Sequence, residues 1–183
     1  MNEVTFTLKT PPENTDHHRG PLSASVVIVE YGDFQCPFCA ATAPVLDKLF
    51  RRYDDLCLVF RHFPLISTHP HAGVAAVAAE AANRQGKFWE MHHALFENQQ
   101  DLSTENIFVI AKNLGLDMRD FLNDLEDEKL LERVRGDINS GVLNGVNATP
   151  TIFVNGIRLE GMPALDELQS EIDQIISDNA NYV

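Results

Sequence analysis

The stretch from Val26 to Cys39, Val-Val-Ile-Val-Glu-Tyr-Gly-Asp-Phe-Gln-Cys-Pro-Phe-Cys, constrains this chain more than any other. Val26 to Val29 are an apolar, β-branched run bounded by Gly32 and Asp33, which predicts a strand covered on both faces. Pro37 fits the first position of a helix, where its missing N–H costs nothing. Cys36 then falls at the helix start, where unpaired N–H groups and the positive end of the helix dipole favour an anion. A thiolate is such an anion, and helix-start CxxC thiols titrate at roughly 3.5–7.5 against about 8.5 for a free cysteine. Cys36 is the candidate attacking thiolate, and Cys39, one turn further in, its candidate resolving partner.

Two other uses of the pair are open to the same residues. A CxxC can be half of a zinc site, but a structural zinc site usually shows a second CxxC or spaced histidines. Here the remaining cysteine is Cys57, inside an apolar run, and no metal is expected. The two cysteines can also be buried and inert. A CxxC that follows a strand and opens a helix is instead a thioredoxin-like redox pattern.

The run Glu30 to Cys39 resembles the active-site segment of DsbA-like thiol-disulfide oxidoreductases of the thioredoxin superfamily. Glu30 stands six residues before Cys36 and Pro44 five after Cys39, where that superfamily carries a buried acid and a helix proline. Phe60-Arg61-His62-Phe63-Pro64-Leu65, Gly86 to His92 and Gly145-Val146-Asn147-Ala148-Thr149-Pro150-Thr151 are similar to the family as well. The resemblance implies an α/β thioredoxin fold with an inserted helical subdomain. The expected division is one DsbA-like domain over 1–183, with a core of 1–68 and 143–183 and a helical insertion over 69–142. It also implies a cis Thr149–Pro150 bond facing the cysteines, with Pro37, Phe38, Thr149 and Pro150 holding an extended substrate peptide.

With 183 residues, a single domain can bury roughly 70% of its unfolded surface. A net charge of −13 disfavours nucleic acid and anionic membrane surfaces. Met1 to Thr10 show no basic segment followed by an apolar one, and no run has the length of a membrane span. The expectation is a cytoplasmic chain without membrane insertion. The alternative is the periplasm or envelope if a leader or fusion partner was removed, since some relatives are fused to a sodium–proton antiporter.

Along the chain, Val4, Phe6 and Leu8 alternate with polar residues as in an edge strand. Residues 10–24 read as a loop carrying a solvated His17-His18 pair. The redox helix is expected over about 36–53 and the next strand over Leu56 to Phe63, with Cys57 as a small buried hydrophobe. Arg61 or His62 can approach Glu30 across neighbouring strands, but alternation alone does not choose between them. Helical spacing runs from His69 to about Val142, with a cap at Ser103 or Thr104 and stops near Gly115 and Gly141. His71, near a helix start, and His92, on an apolar face, are read as capping and packing groups. Thr151-Ile-Phe-Val, Asn155-Gly156 and Ile157-Arg-Leu-Glu predict a hairpin with a type I′ turn. Pro163, Leu165, Leu168, Ile172 and Ile175 mark a terminal helix.

The chemistry implied is thiol–disulfide exchange with cysteine-containing proteins or peptides, needing no cofactor beyond the Cys36–Cys39 disulfide. Glu30 would carry the proton of Cys39. The redox partner would be thioredoxin, glutathione or a membrane thiol oxidoreductase. Phe38 gives the thiolate neither a hydrogen bond nor a charge, so a potential between those of thioredoxin and the CPHC oxidases is expected. Alternatives on this fold are a non-catalytic peptide-binding module and a glutathione-dependent kappa-type transferase or isomerase.

Overall fold

The computed structural model describes residues 7–159 and 164–180. Five strands form one sheet in the order β1-β3-β2-β4-β5: β1 (His17–Arg19), β2 (Val26–Gly32), β3 (Leu56–His62), β4 (Thr151–Val154) and β5 (Ile157–Arg158). Among these strands β2 and β3 pair parallel and the other three pairings are antiparallel. The helix joining β2 to β3, α1 (Pro37–Arg52), makes that crossover possible. Between β3 and β4 lie α2 (Ala72–Arg84), α3 (Phe88–Glu97), α4 (Thr104–Asn113), α5 (Met118–Leu125) and α6 (Glu128–Leu143), and α7 (Leu165–Ala180) follows the hairpin. The fold is an α/β thioredoxin fold of the DsbA-like kind.

Strand alternation divides the core. Val26, Ile28, Leu56 and Leu58 pack with Leu46 and Leu49 of α1 and with Leu168 and Ile172 of α7. Val29, Tyr31, Val59 and Phe153 line the opposite face, against Ile138 of α6. Glu30 has the parity of Ile28 and Phe60 that of Leu58, so both side chains point to the α1 face. There Phe34, Phe60, Cys36 and Cys39 join the core of the inserted helices.

Several expectations are corrected by this sheet. Residues 17–19 are not loop but an antiparallel edge strand on β3, with His17 opposite Phe60. His17 is consequently buried, not solvated. Neither Arg61 nor His62 turns to Glu30. Arg61 has the opposite parity and grips Asp16 through two 2.9 Å bonds, adding Thr10, Pro11 and Tyr31. His62 shares the face of Glu30 but bonds to Glu80 at 3.0 Å. Gly141 does not stop α6, which continues to Leu143; the positive φ of 73° is at Gly145. Gly141 is instead a packing site, because a Cβ there would stand 2.6 Å from the Phe63 ring.

The hairpin turn is formed by Asn155 and Gly156 at φ 47° and 81°, the two positive values a type I′ turn requires. Ser103 caps α4 by accepting from Asn106 N–H, and Gly115 follows that helix at φ 71°. Of the expected first strand, Thr7 bridges to Ile157 at the sheet edge. Val4 and Phe6 lie outside the described residues, as do Glu160 and Pro163.

Candidate active site at the start of the redox helix

β2 ends at Gly32, and residues 33–36 turn the chain into α1. Asp33 organises that turn. Its Oδ1 accepts from Gln35 N–H at 2.7 Å, and its Oδ2 from Leu65 N–H and His69 Nδ1, each at 2.8 Å. Cys36 N–H donates to the Asp33 carbonyl at 3.1 Å. Cys36 is thus the N-cap residue, with φ −76° and ψ 121°, and Pro37 follows at the first helical position. Pro37 and Phe38 are exposed, Phe38 at 60%, while Cys36 and Cys39 are buried free thiols.

The two sulfurs are driven apart in acidity. Cys36 is lowered to about 5, first because the Cys39 thiol donates to it. Burial opposes this, and the neighbouring Thr149 side chain and the backbone of Cys39 and Phe38 add to the lowering. Cys39 is pushed well above the usual thiol range by burial, by giving its hydrogen to Cys36 and by the charges of Glu30 and Cys36. Asp33 N–H, 3.4 Å from the Cys39 sulfur, works the other way. One sulfur is therefore an anion near neutrality and the other a thiol.

Glu30 and the 149–150 segment complete the surroundings. Glu30 is 2% exposed and its Oε1 has no hydrogen-bond partner. Burial, and then the Cys36 charge, raises it to about 8. The Thr149–Pro150 bond is cis, and the Cys36 sulfur lies 3.2 Å from the Thr149 carbonyl, to which it donates when protonated. The structure therefore brings Cys36, Cys39, Thr149 and Glu30 into one electrostatic unit, with Pro37 and Phe38 at its surface.

Sequence reasoning missed Asp33, Gln35, His69 and Gln99. Asp33 had a signal, since an Asp two residues before an N–H in a turn commonly accepts from it. Gln99, in the turn after α3, donates to the carbonyls of Phe34 and Cys36 at 2.9 and 2.8 Å. Nothing local marks it.

The other polar groups are accounted for differently. His17 and His62 converge on Glu80 Oε1 at 2.6 and 3.0 Å, and among the described residues this trio could bring ligand atoms together for a metal ion. Both histidines share one carboxylate oxygen at hydrogen-bond distance, and Phe88 stacks on His17 at 3.5 Å. That is the geometry of a buried hydrogen-bonded network. His71 is the residue before α2 but its side chain makes no cap bond. His92 is buried among aromatic rings, and burial holds it well below the usual histidine range. Cys57 is raised to about 11, first by burial, as suits a packing residue.

A family model described as thioredoxin matches residues 12–174. The chain belongs to the thioredoxin family. Within it, the solved neighbours are DsbA-like thiol-disulfide oxidoreductases. A thioredoxin-like oxidoreductase from Silicibacter pomeroyi is 25% identical with a TM-score of 0.81, over 90% of this chain and 94% of the other. DsbA2 from Pseudomonas aeruginosa is 27% identical with a TM-score of 0.73, over 90% and 96%. Na(+)/H(+) antiporter NhaA 1 from Mycolicibacterium vanbaalenii is 46% identical over 162 residues, which is 86% of this chain and 26% of the antiporter. This thioredoxin-family chain spans about a quarter of the length of such curated relatives. The cytoplasmic expectation is overturned here. It conflicts with the DsbA-type neighbours, and the first residues of a chain matching a quarter of its relatives carry no information on compartment. Among the described residues no helix is long and apolar enough to cross a membrane.

Proposed function

We propose that this protein is a thiol-disulfide oxidoreductase that exchanges disulfides with protein substrates through a mixed disulfide at Cys36. The observation that carries the reading is the opposed acidity of the two sulfurs, about 5 for Cys36 and well above the thiol range for Cys39. In the reducing direction the Cys36 thiolate attacks a substrate disulfide and expels one substrate thiolate, which takes a proton. Cys39 then loses its proton and attacks Cys36 Sγ. The second substrate thiolate leaves, and a Cys36–Cys39 disulfide is left behind. The oxidising direction is the same sequence reversed, so the direction is set by the partner that recharges the pair.

Glu30 is suited to accept or return the Cys39 proton, because it is buried on the same face and raised to about 8. Pro37, Phe38, Thr149 and Pro150 form the surface on which a cysteine-containing peptide would lie. The Thr149 carbonyl accepts from Cys36 only while that sulfur is protonated, so in the thiolate form it is free to accept from a peptide N–H. The recharging partner would be glutathione, a thioredoxin or a membrane thiol oxidoreductase in the cell envelope. The last is favoured by antiporter relatives that carry this region as a quarter of a membrane protein.

Insulin-disulfide turnover tests the reading. Cys36→Ser is expected to lose it entirely, and Cys39→Ala to accumulate a mixed disulfide identifiable by mass spectrometry. Full turnover by Cys36→Ser would sink the proposal, and partner capture by that variant without any turnover in the native protein would favour a binding module.

A further inference from the structure

The turn that delivers Cys36 is held from the inserted helices as well as from its own strand and helix. His69 and Leu65 N–H tie Asp33 to the segment after β3, and His71 N–H donates to Gln35 Oε1 at 2.7 Å. From the other side Gln99 reaches the carbonyls on either side of Gln35, those of Phe34 and Cys36. Its amide orientation is fixed by chemistry. Two carbonyl oxygens face it, so the NH2 group, with its two hydrogens, must point at them. The Cys36 carbonyl already accepts the first helical bond, from Ala40 N–H at 3.1 Å. Gln99 therefore holds the carbonyl that starts α1 and the one that ends the preceding turn.

We propose that Gln99 is a positioning residue for the exchange reaction, holding the redox turn so that Cys36 keeps its place as the N-cap of α1. The inference rests on the proposed exchange chemistry and deepens it, since it gives the helical insertion a part in setting the strength of the nucleophile. N–H groups stabilise an anion only while they point at it, and the carbonyl of Cys36 fixes the plane from which the helix starts. Without the two Gln99 bonds, residues 34–36 are released on the side facing α3. The Cys36 sulfur then stands at the positive end of α1 part of the time only. A rise in the pKa of Cys36 lowers the stability of the reduced protein, so the disulfide becomes less oxidising.

The test compares native protein with Gln99→Met and Gln99→Glu. Both substitutes match the native side chain in length; Met has no donor and Glu has acceptors only. Iodoacetamide alkylation across a pH series reads the Cys36 midpoint, with folding checked by near-ultraviolet circular dichroism. Equilibration with glutathione gives a second readout: protein disulfide plus two glutathiones going to protein dithiol plus glutathione disulfide. Both variants are expected to move the midpoint up by about one pH unit and the equilibrium about tenfold toward the protein disulfide. Gln99→Met at the native midpoint would overturn the proposal whatever Glu does, because filling space would then suffice. A native midpoint like that of a free cysteine would instead sink the exchange reading itself, so the two failures are separable.

Discussion

Glu30 occupies a position in β2 where the neighbouring residues on its face are apolar, and it is kept neutral there. Its folded-state value, raised from 4.5 to about 8, makes it a stability cost at alkaline pH. For a raised group the stability is fully present below the unfolded value and is lost as pH rises through the folded one. Native protein should therefore lose stability between pH 4.5 and about 8 on account of this one carboxyl. Glu30→Gln, of equal shape and never charged, escapes that loss. The difference in unfolding free energy between variant and native protein should grow across the window to roughly 3–5 kcal/mol and then level off. Urea titrations of the reduced proteins at pH 5, 7 and 9 check this. A difference independent of pH would mean that Glu30 is ionised throughout.

At the scale of elements, α6 carries two glycines with opposite expected effects. Gly136 has nothing within 4 Å of an added Cβ, so Gly136→Ala should stabilise by about 0.5–1 kcal/mol through helix propensity alone. Gly141 has the Phe63 ring at 2.6 Å and the Tyr31 ring at 3.2 Å. Both rings are wedged between α6 and the sheet, and overpacking there costs about 1–3 kcal/mol. Gly141→Ala should therefore destabilise by about 1–2 kcal/mol despite the same propensity gain, a contrast that paired thermal melts would show. The sequence expectation at Gly141, a helix stop, had the residue type right and the reason wrong. Position 141 lies inside the helix and is small because β2 and the residue after β3 come close. That kind of constraint has no local signature. The hairpin at Asn155-Gly156 and the helix opening at Cys36-Pro37 were legible because a single backbone conformation dictates the residues. β1 was not, because His-His-Arg becomes a strand only once β3 offers its edge. Gln99 was illegible for a similar reason, since its acceptors lie 65 and 63 residues away.

Across the whole molecule, a net charge of −13 stands against holding one more anion at position 36. Distance decides between the two effects. The surface charges act through solvent with a screening length of about 8 Å at physiological salt. The Cys39 thiol, the Thr149 side chain and the helix-start N–H groups act at close range, inside the protein. The local groups should win, and their effect appears as a stability difference between redox states. Cys36 is depressed from 9.0 to about 5. Its contribution to the reduced protein is thus full above pH 9 and is lost as pH falls toward 5. The oxidised protein has no thiol to ionise, so the stability of the reduced form relative to the oxidised should rise with pH over this window. Its slope approaches about 1.4 kcal/mol per pH unit. The charge of Cys36 on Glu30 subtracts from that slope, and Cys39 begins to subtract only above pH 9 because its own value is raised. Guanidinium-free urea unfolding of both redox forms at pH 5, 6, 7 and 8, repeated with 0.5 M sodium chloride, separates local from global electrostatics. The pH-dependent gap should persist in salt; if it vanishes there, the field of the whole acidic molecule and not the start of α1 governs the sulfur.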